Sequence, residues 1–326
     1  MRKHSGKGKI NYNNGDVYDG EFRDAEPHGL GKMTYKDGRV VEGIWENGKI
    51  AYQGELADGL PHGRGKRIYS NGNVYEGEWK DGEFHGKGTL KWDDGETYEG
   101  YWKDDEQHGR GTYKWPDGSS CEGEWMDGYM NGKGTFKCPD GSLYEGGWKD
   151  NKRHGKGIEK YPGGSIEYDG EYKDGLPDGN GTWYCENGDV YIGEWRAGCI
   201  HGKGVMTYSN QDVYEGEWKK VRKDGKGTMK YHNGDVYEGE FSKDKMHGKG
   251  TFQYAAGDVL KSTGEWKEGK KVGFFEEIVR VSKQVYYDND EPNANSNVKR
   301  EAPSDEDTDT DDAPPSKRRN VCVSPP

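Results

Sequence analysis

From Tyr75 to Lys80 the chain alternates strictly. Tyr75, Gly77 and Trp79 fall on one side, and Glu76, Glu78 and Lys80 on the other. A two-residue period is that of a β-strand with one face packed and one wet. The following stretch does the same, with Gly86, Gly88, Leu90 and Trp92 interleaved with Lys87, Thr89 and Lys91. Asp81-Gly82 and Asp94-Gly95 punctuate the two runs, so the pattern predicts two antiparallel strands joined by tight turns.

This unit recurs almost from end to end. Counted from the residue two before its first glycine, copies open at Tyr18, Val41, Tyr52, Tyr75, Tyr98, Cys121, Tyr144, Tyr168, Tyr191, Tyr214 and Tyr237, mostly 23 residues apart. Repetition of this kind is read before any single residue. One pairing accounts for the motif: Gly77 meets Gly88, Tyr75 meets Leu90, Trp79 lies over Gly86, Glu78 faces Lys87 and Lys80 faces His85. The glycines leave room for flat rings, and the other face becomes a Glu/Lys ladder. Because the period is odd, one turn per unit must hold an odd number of residues to keep the aromatics on one face. A glycine bulge at Asp94-Gly95 would supply it.

The motif Tyr75-Glu76-Gly77-Glu78-Trp79 followed by His85-Gly86-Lys87-Gly88 closely resembles the MORN (membrane occupation and recognition nexus) repeat family, over roughly residues 5 to 275. The resemblance implies an all-β fold: an elongated, twisted, single-layer antiparallel sheet of about eleven to twelve MORN-type β-hairpin repeats. It also implies a glycine-and-aromatic groove along one side and self-association.

Departures from the period locate breaks. Val41 is followed after 11 residues by Tyr52, so a strand is missing and the direction of the chain is re-set near Asn47-Gly48, with a bend or sub-sheet boundary there. The expected division is 1–48 for the first repeats, 49–275 for the main array, 276–288 for a C-terminal cap and 289–326 for a disordered tail. The 24-residue interval from Tyr144 to Tyr168 implies a bulge near Ser165-Ile166-Glu167. Phe275 replaces a glycine and plugs the groove, as a terminal repeat needs. From Glu276 to Tyr287 a capping strand is favoured over a short helix.

Composition narrows the chemistry. Only 29% of the 326 residues are hydrophobic and 54 are glycine, too little aliphatic material for two thick cores, so the 11 Trp and 23 Tyr must carry the apolar surface. Net charge is −12, with ten acidic and five basic residues after residue 287, which argues against a nucleic-acid binder. No run of 18 apolar residues occurs, which supports neither secretion nor membrane spanning. Cys121, Cys138, Cys185, Cys199 and Cys322 form no CxxC pair and are expected as free thiols in a reducing compartment. Seven histidines (His28, His62, His85, His108, His154, His201 and His247) open HGxG, yet neighbouring repeats lie about 9–10 Å apart, too far to share zinc. The same slot holds Asn131, Asp178 and Asp224, so a hydrogen-bonding turn residue is the better reading. The string Gly82 to Thr89 looks like a phosphate loop but is one residue short and leads into a strand. No nucleophile and base stand out, and no enzyme activity, metal or cofactor is expected.

What remains is the aromatic stripe, whose rings either pack only on glycines or form a groove open to a partner. The groove reading names Tyr75, Trp79, Tyr98, Trp102, Trp125, Tyr144, Trp148, Tyr191, Trp195, Tyr214 and Trp218 as partner-facing. It predicts a non-enzymatic scaffold that binds proteins or a second copy of itself, cytoplasmic, at cytoskeletal or membrane-proximal structures. Two alternatives stand beside it: peripheral binding to anionic phospholipid through Lys87, Lys91, Lys133 and Lys156, and service in trans to a lipid kinase or lysine methyltransferase. In the tail, Lys299-Arg300 and Lys317-Arg318-Arg319 are a weak nuclear-import pattern. Ser304 and Thr308 precede acidic residues as a phosphorylation site would.

Overall fold

A computed structural model describes residues 5–280, all of it strands and turns. The chain divides after Ser165 into two units. The first holds β1 (Gly6–Asn11), β2 (Val17–Arg23), β3 (Glu26–Thr34), β4 (Val40–Glu46) and β5 (Lys49–Ala57). It continues with β6 (Leu60–Ile68), β7 (Val74–Lys80), β8 (Glu83–Lys91), β9 (Thr97–Lys103) and β10 (Glu106–Lys114). Its last strands are β11 (Ser120–Met126), β12 (Tyr129–Lys137), β13 (Leu143–Lys149) and β14 (Lys152–Lys160). The second unit holds β15 (Ile166–Lys173), β16 (Leu176–Tyr184), β17 (Val190–Arg196), β18 (Cys199–Thr207) and β19 (Val213–Lys219). It ends with β20 (Arg222–Lys230), β21 (Val236–Ser242), β22 (Lys245–Gln253), β23 (Val259–Lys267) and β24 (Lys270–Val279). Within each unit every strand pairs antiparallel with the next, an open meander one layer thick.

Two turn types alternate, each dictated by its sequence. Asp81 and Gly82 both have positive φ (52° and 93°), the I′ geometry that matches the twist of a two-residue hairpin. The other turn is longer: the Gly95 amide donates to the Trp92 carbonyl at 3.2 Å, and Trp92 pairs with Glu96. Five residues, with glycine in the left-handed region, supply the odd count the 23-residue period requires.

The register differs from the simplest expectation in one respect. Gly77 pairs with Gly88 and Tyr75 with Leu90 as expected, but across the I′ turn Lys80 pairs with Glu83, Trp79 with Phe84 and Glu78 with His85. Gly86-Lys87 therefore forms a two-residue bulge, and Gly86 faces Trp102 of the following strand rather than Trp79. The bulge explains the second glutamate of the motif. A Cβ on Gly86 would sit 2.1 Å from Glu78 Oε2, because the carboxylate folds over the bulge instead of pairing with Lys87. Its counterparts Glu55, Glu124 and Glu194 accept bonds from the bulge amides of Arg64, Lys133 and Lys203 at 3.0–3.2 Å. Cross-strand ion pairs of the expected ladder, such as Lys66 to Glu76 at 3.2 Å, lie in solvent and contribute ~0.2–1 kcal/mol each.

The missing strand is absorbed by β5, which has an I′ turn at each end: Asn47-Gly48 and Asp58-Gly59. Its first residues pair with β4 and its later ones, from Tyr52, with β6. The apolar core of this unit splits at the same place, into a cluster on Tyr18, Phe22, Met33 and Trp45 and another running from Tyr52 to Met130. Near Ser165 the extra residue is carried by an eight-residue β15. At the C-terminal end Ser262 stands where other repeats open with Tyr, and the Phe275 ring covers Gly264 in its place. β24 continues the strand pattern to Val279. The remaining cap residues, the tail, Cys322 and the two basic clusters lie outside the described residues.

Candidate functional site

Each opening tyrosine lies flat over a pair of glycines. A Cβ on Gly88 would be 2.2 Å from the Tyr75 hydroxyl. The nine tyrosines of this kind donate that hydroxyl to the carbonyl three residues on, at 2.8–3.2 Å, where the bulge breaks the ladder. The eight tryptophans four residues after the opening position donate Nε1 to the carbonyl of the second glycine in the preceding repeat, at 3.0–3.4 Å. Both polar tips are thereby satisfied inside an apolar layer, which is why Tyr and Trp rather than Phe or Leu recur there. In the first unit the rings meet edge to face in a spine from Tyr52 to Trp125, as at Tyr52–Trp79 (5.3 Å), Tyr75–Trp79 (4.9 Å) and Tyr75–Trp102 (5.6 Å), and in the second they run from Tyr168 to Phe275.

The spine is closed to solvent. Of the eleven residues expected to face a partner, Tyr75, Tyr98, Tyr191 and Tyr214 are fully buried, and Trp79, Trp102, Trp125, Tyr144, Trp195 and Trp218 are 7% exposed or less. Only Trp148 is half-buried. They share one face, as the alternation requires, and their own neighbours cover them. The residue before the HGxG histidine supplies the cover: Phe84 stacks on Tyr75 at 3.7 Å, and Met130 fills the space where Cys121 replaces a tyrosine. In the second unit Lys223 takes this position. Its ammonium lies 5.4 Å from the Tyr214 ring and 5.6 Å from Tyr208, and burial holds its pKa below the ordinary lysine value.

Burial also pushes the tyrosine hydroxyls up, to about 12 for Tyr18, Tyr144 and Tyr237. The Cys121 thiol is likewise pushed up to about 12 by burial, which leaves it a packing residue rather than a nucleophile.

Beside the spine, on the same face of the first unit, a partner can reach a second row of aromatics. Tyr69, Trp92, Tyr113, Trp115 and Phe136 are half-buried and pack on the core. Trp92 to Tyr113 (5.3 Å), Tyr113 to Trp115 (4.6 Å) and Trp115 to Phe136 (5.8 Å) form a continuous chain of ring contacts. The alternation placed Trp92 on the aromatic face without separating it from the spine, and did not single out Trp115. The signal was their place as the first residue of the five-residue turn, just outside the strand.

The opposite face carries the concavity of the second unit. A trough of about 1250 Å³ runs over Gly204, Gly216, Gly227, Gly239 and Gly250, walled by alternating glutamates and lysines such as Glu215, Lys226, Glu238 and Lys249. Its two signs nearly balance, so it offers no strong field to an anion. At the position opening HGxG, Asn131, Asp178 and Asp224 accept from the backbone amides of Asp150, Ala197 and Lys243, and His62 Nδ1 accepts from Asp81, at 3.0–3.4 Å, whereas Nδ1 of His28, His85, His108, His154 and His247 is buried without a hydrogen-bond partner, so the expected turn bond forms at only some repeats. Among the described residues no cluster of three potential metal ligands occurs, and no helix is long and apolar enough to cross a membrane.

A single-layer antiparallel sheet of near-identical hairpins, with one face sealed by a Tyr/Trp spine over glycines, defines a repeat protein of the binding or scaffold class. The MORN repeat model matches residues 18–38, then ten segments between residues 52 and 274, and the chain belongs to this family. Among curated proteins none matches the chain. Among solved structures, the TCP10 domain of Danio rerio CPAP in complex with a STIL peptide is 13% identical, over 72% of this chain and 93% of that one, with a TM-score of 0.26. The Drosophila melanogaster SAS-4 TCP domain in complex with a proline-rich motif of Ana2 is also 13% identical, over 65% and 90%, with a TM-score of 0.25. Likeness this distant carries nothing about partners.

Proposed function

We propose that the chain is a non-enzymatic scaffold that binds protein partners on the aromatic face of its first unit, with the half-buried row Tyr69, Trp92, Tyr113, Trp115 and Phe136 as the apolar contact. The observation that carries this reading is the division of labour between the two aromatic rows. The sealed spine holds the sheet, while the second row stays partly exposed and presents rigid rings at low entropic cost, as binding surfaces do. The nearly balanced trough weighs against anionic phospholipid as the main ligand of the polar face. Cytoskeletal or membrane-proximal sites are where such a scaffold would act.

The test substitutes Trp92→Ala and Trp115→Ala together and compares quantitative affinity purification from native cells with wild type. The expected outcome is loss of specific partners with an unchanged circular dichroism spectrum. An unchanged partner set from the folded variant would refute the aromatic-face reading. Sedimentation with anionic vesicles at low salt then tests the lipid alternative.

A further inference from the structure

The I′ turns of the second unit form one edge, and their amides tie it together. The amides of Gly198, Val221, Asp244 and Gly269 each donate to a carbonyl of the preceding repeat (Pro177, Ile200, Lys223 and Met246) at 2.8–3.0 Å. The turns therefore stack as a continuous row. Count the four residues at each turn, from the last of one strand to the first of the next. The five turns of the second unit then carry nine basic and three acidic residues, whereas the five turns from β5–β6 to β13–β14 of the first carry four basic and eight acidic. The repeat has kept its fold and reversed its sign. Lys219, Lys220, Arg222, Lys243, Lys267 and Lys270 are exposed. Among the described residues none of them is in an ion pair, while Lys245 holds Glu268 at 3.1 Å. Like charges in a fixed row repel, so an edge of this kind is completed by an anion-rich partner.

We propose that this edge is a docking surface for an acidic peptide segment, and that its occupant is the segment from Ser304 to Asp312 of the same chain. That segment reads Ser-Asp-Glu-Asp-Thr-Asp-Thr-Asp-Asp, six carboxylates in nine residues, in a protein whose overall charge is −12. The dimensions agree. Four successive turns, from β17–β18 to β23–β24, are two strands apart and span roughly 30 Å. Nine extended residues span roughly the same. The tether agrees as well: β24 leaves the edge at Lys270 and ends about 30 Å away. The 24 residues 281–304 can reach up to ~80 Å. A tethered acidic segment also has the advantage of effective concentration over any free anion. Phosphorylation at Ser304 or Thr308 would add charge to the occupant and tighten the contact.

The test uses the full chain, as an equal mixture of unlabelled and nitrogen-15 copies, treated with a zero-length carbodiimide crosslinker and analysed by mass spectrometry. Crosslinks from residues 305–312 to Lys219, Lys220, Lys243, Lys267 or Lys270 within one copy, suppressed at high salt, are the expected result. Crosslinks that join only different copies assign the edge to a second chain and overturn the proposal. So do crosslinks that fall equally on Lys80 and Lys103 of the first unit. A second arm replaces Asp305, Asp307, Asp309, Asp311 and Asp312 by Asn and Glu306 by Gln. A fluorescent peptide of sequence 303–313 should bind this variant at least about tenfold more tightly than wild type, because the tethered competitor has gone. Equal binding of the peptide to both proteins overturns the proposal. So does equal binding of both to phosphatidylserine vesicles without crosslinks, which would assign the edge to a membrane.

Discussion

The packing of tyrosine over glycine can be tested with the same substitution at two equivalent positions. Gly111→Ala would place its Cβ 2.2 Å from the Tyr98 hydroxyl oxygen, 2.4 Å from Cζ and 2.6 Å from Cε2. Ordinary contact needs more than 3.4 Å, so the ring must move by about 1 Å. It cannot do so freely. Its hydroxyl donates to the Tyr101 carbonyl at 3.2 Å, and its faces and edges meet Trp102 at 5.0 Å and Trp125 at 5.3 Å. Losing the hydrogen bond costs ~0.5–1.5 kcal/mol, each ring pair ~0.5–1.5 kcal/mol, and overpacking ~1–3 kcal/mol. These overlap, giving about 2–4 kcal/mol. Gly134 occupies the same place in the next repeat, but there the nearest atom is the Met130 terminal methyl, because Cys121 stands in place of the tyrosine. A methionine end swings aside, so Gly134→Ala should cost only about 1 kcal/mol. Hydrogen exchange of β9–β10 and β11–β12, together with urea unfolding followed by tryptophan fluorescence, measures both. Equal costs, or a larger cost at Gly134, would refute the argument that the tyrosine ring dictates the glycine. Importing the local solution, Tyr98→Cys with Gln107→Met, should recover most of the stability lost in Gly111→Ala.

Two further outcomes follow from strain and burial. Val221 has φ of 66° in an I′ turn, beside Lys220 at 50°, where Gly82, Gly128, Gly198 and Gly269 stand in other repeats. Because a β-branched residue is strained there, Val221→Gly should stabilise the second unit by about 1 kcal/mol despite glycine's greater unfolded-state freedom, and an unchanged or lower unfolding midpoint would contradict this. Tyrosines whose folded pKa is raised by burial contribute stability that is complete below their unfolded value near 10 and is lost as pH rises towards about 12. Absorbance at 295 nm should therefore show delayed, cooperative ionisation coinciding with loss of the circular dichroism signal. Titration of all tyrosines near pH 10 with the sheet intact would count against it.

Much of this was legible in the chain. Alternation of Tyr75, Gly77 and Trp79 with Glu76, Glu78 and Lys80 set the strand and its two faces, because a pleated backbone sends successive side chains to opposite sides. Asp-Gly pairs set the I′ hairpins because few residues tolerate positive φ twice in succession. The odd period demanded the five-residue turn. Other features depended on contacts between repeats. The bulge at Gly86-Lys87 frees a carbonyl for the Tyr75 hydroxyl, and its counterparts free an amide for a carboxylate, and no count of residues between turns reveals which backbone groups will be claimed by side chains. The closing of the spine also lay beyond the alternation. Whether Trp79 is open or sealed depends on Phe84 and on the rings of adjacent repeats, which converge only when the strands pair. The sequence by itself determined the strand, the turn and the repeat, which are local. The tertiary structure decided the register beyond the bulge, which aromatics remain within reach, and the basic row along one edge of the second unit, since each depends on residues some 23 positions apart being brought side by side.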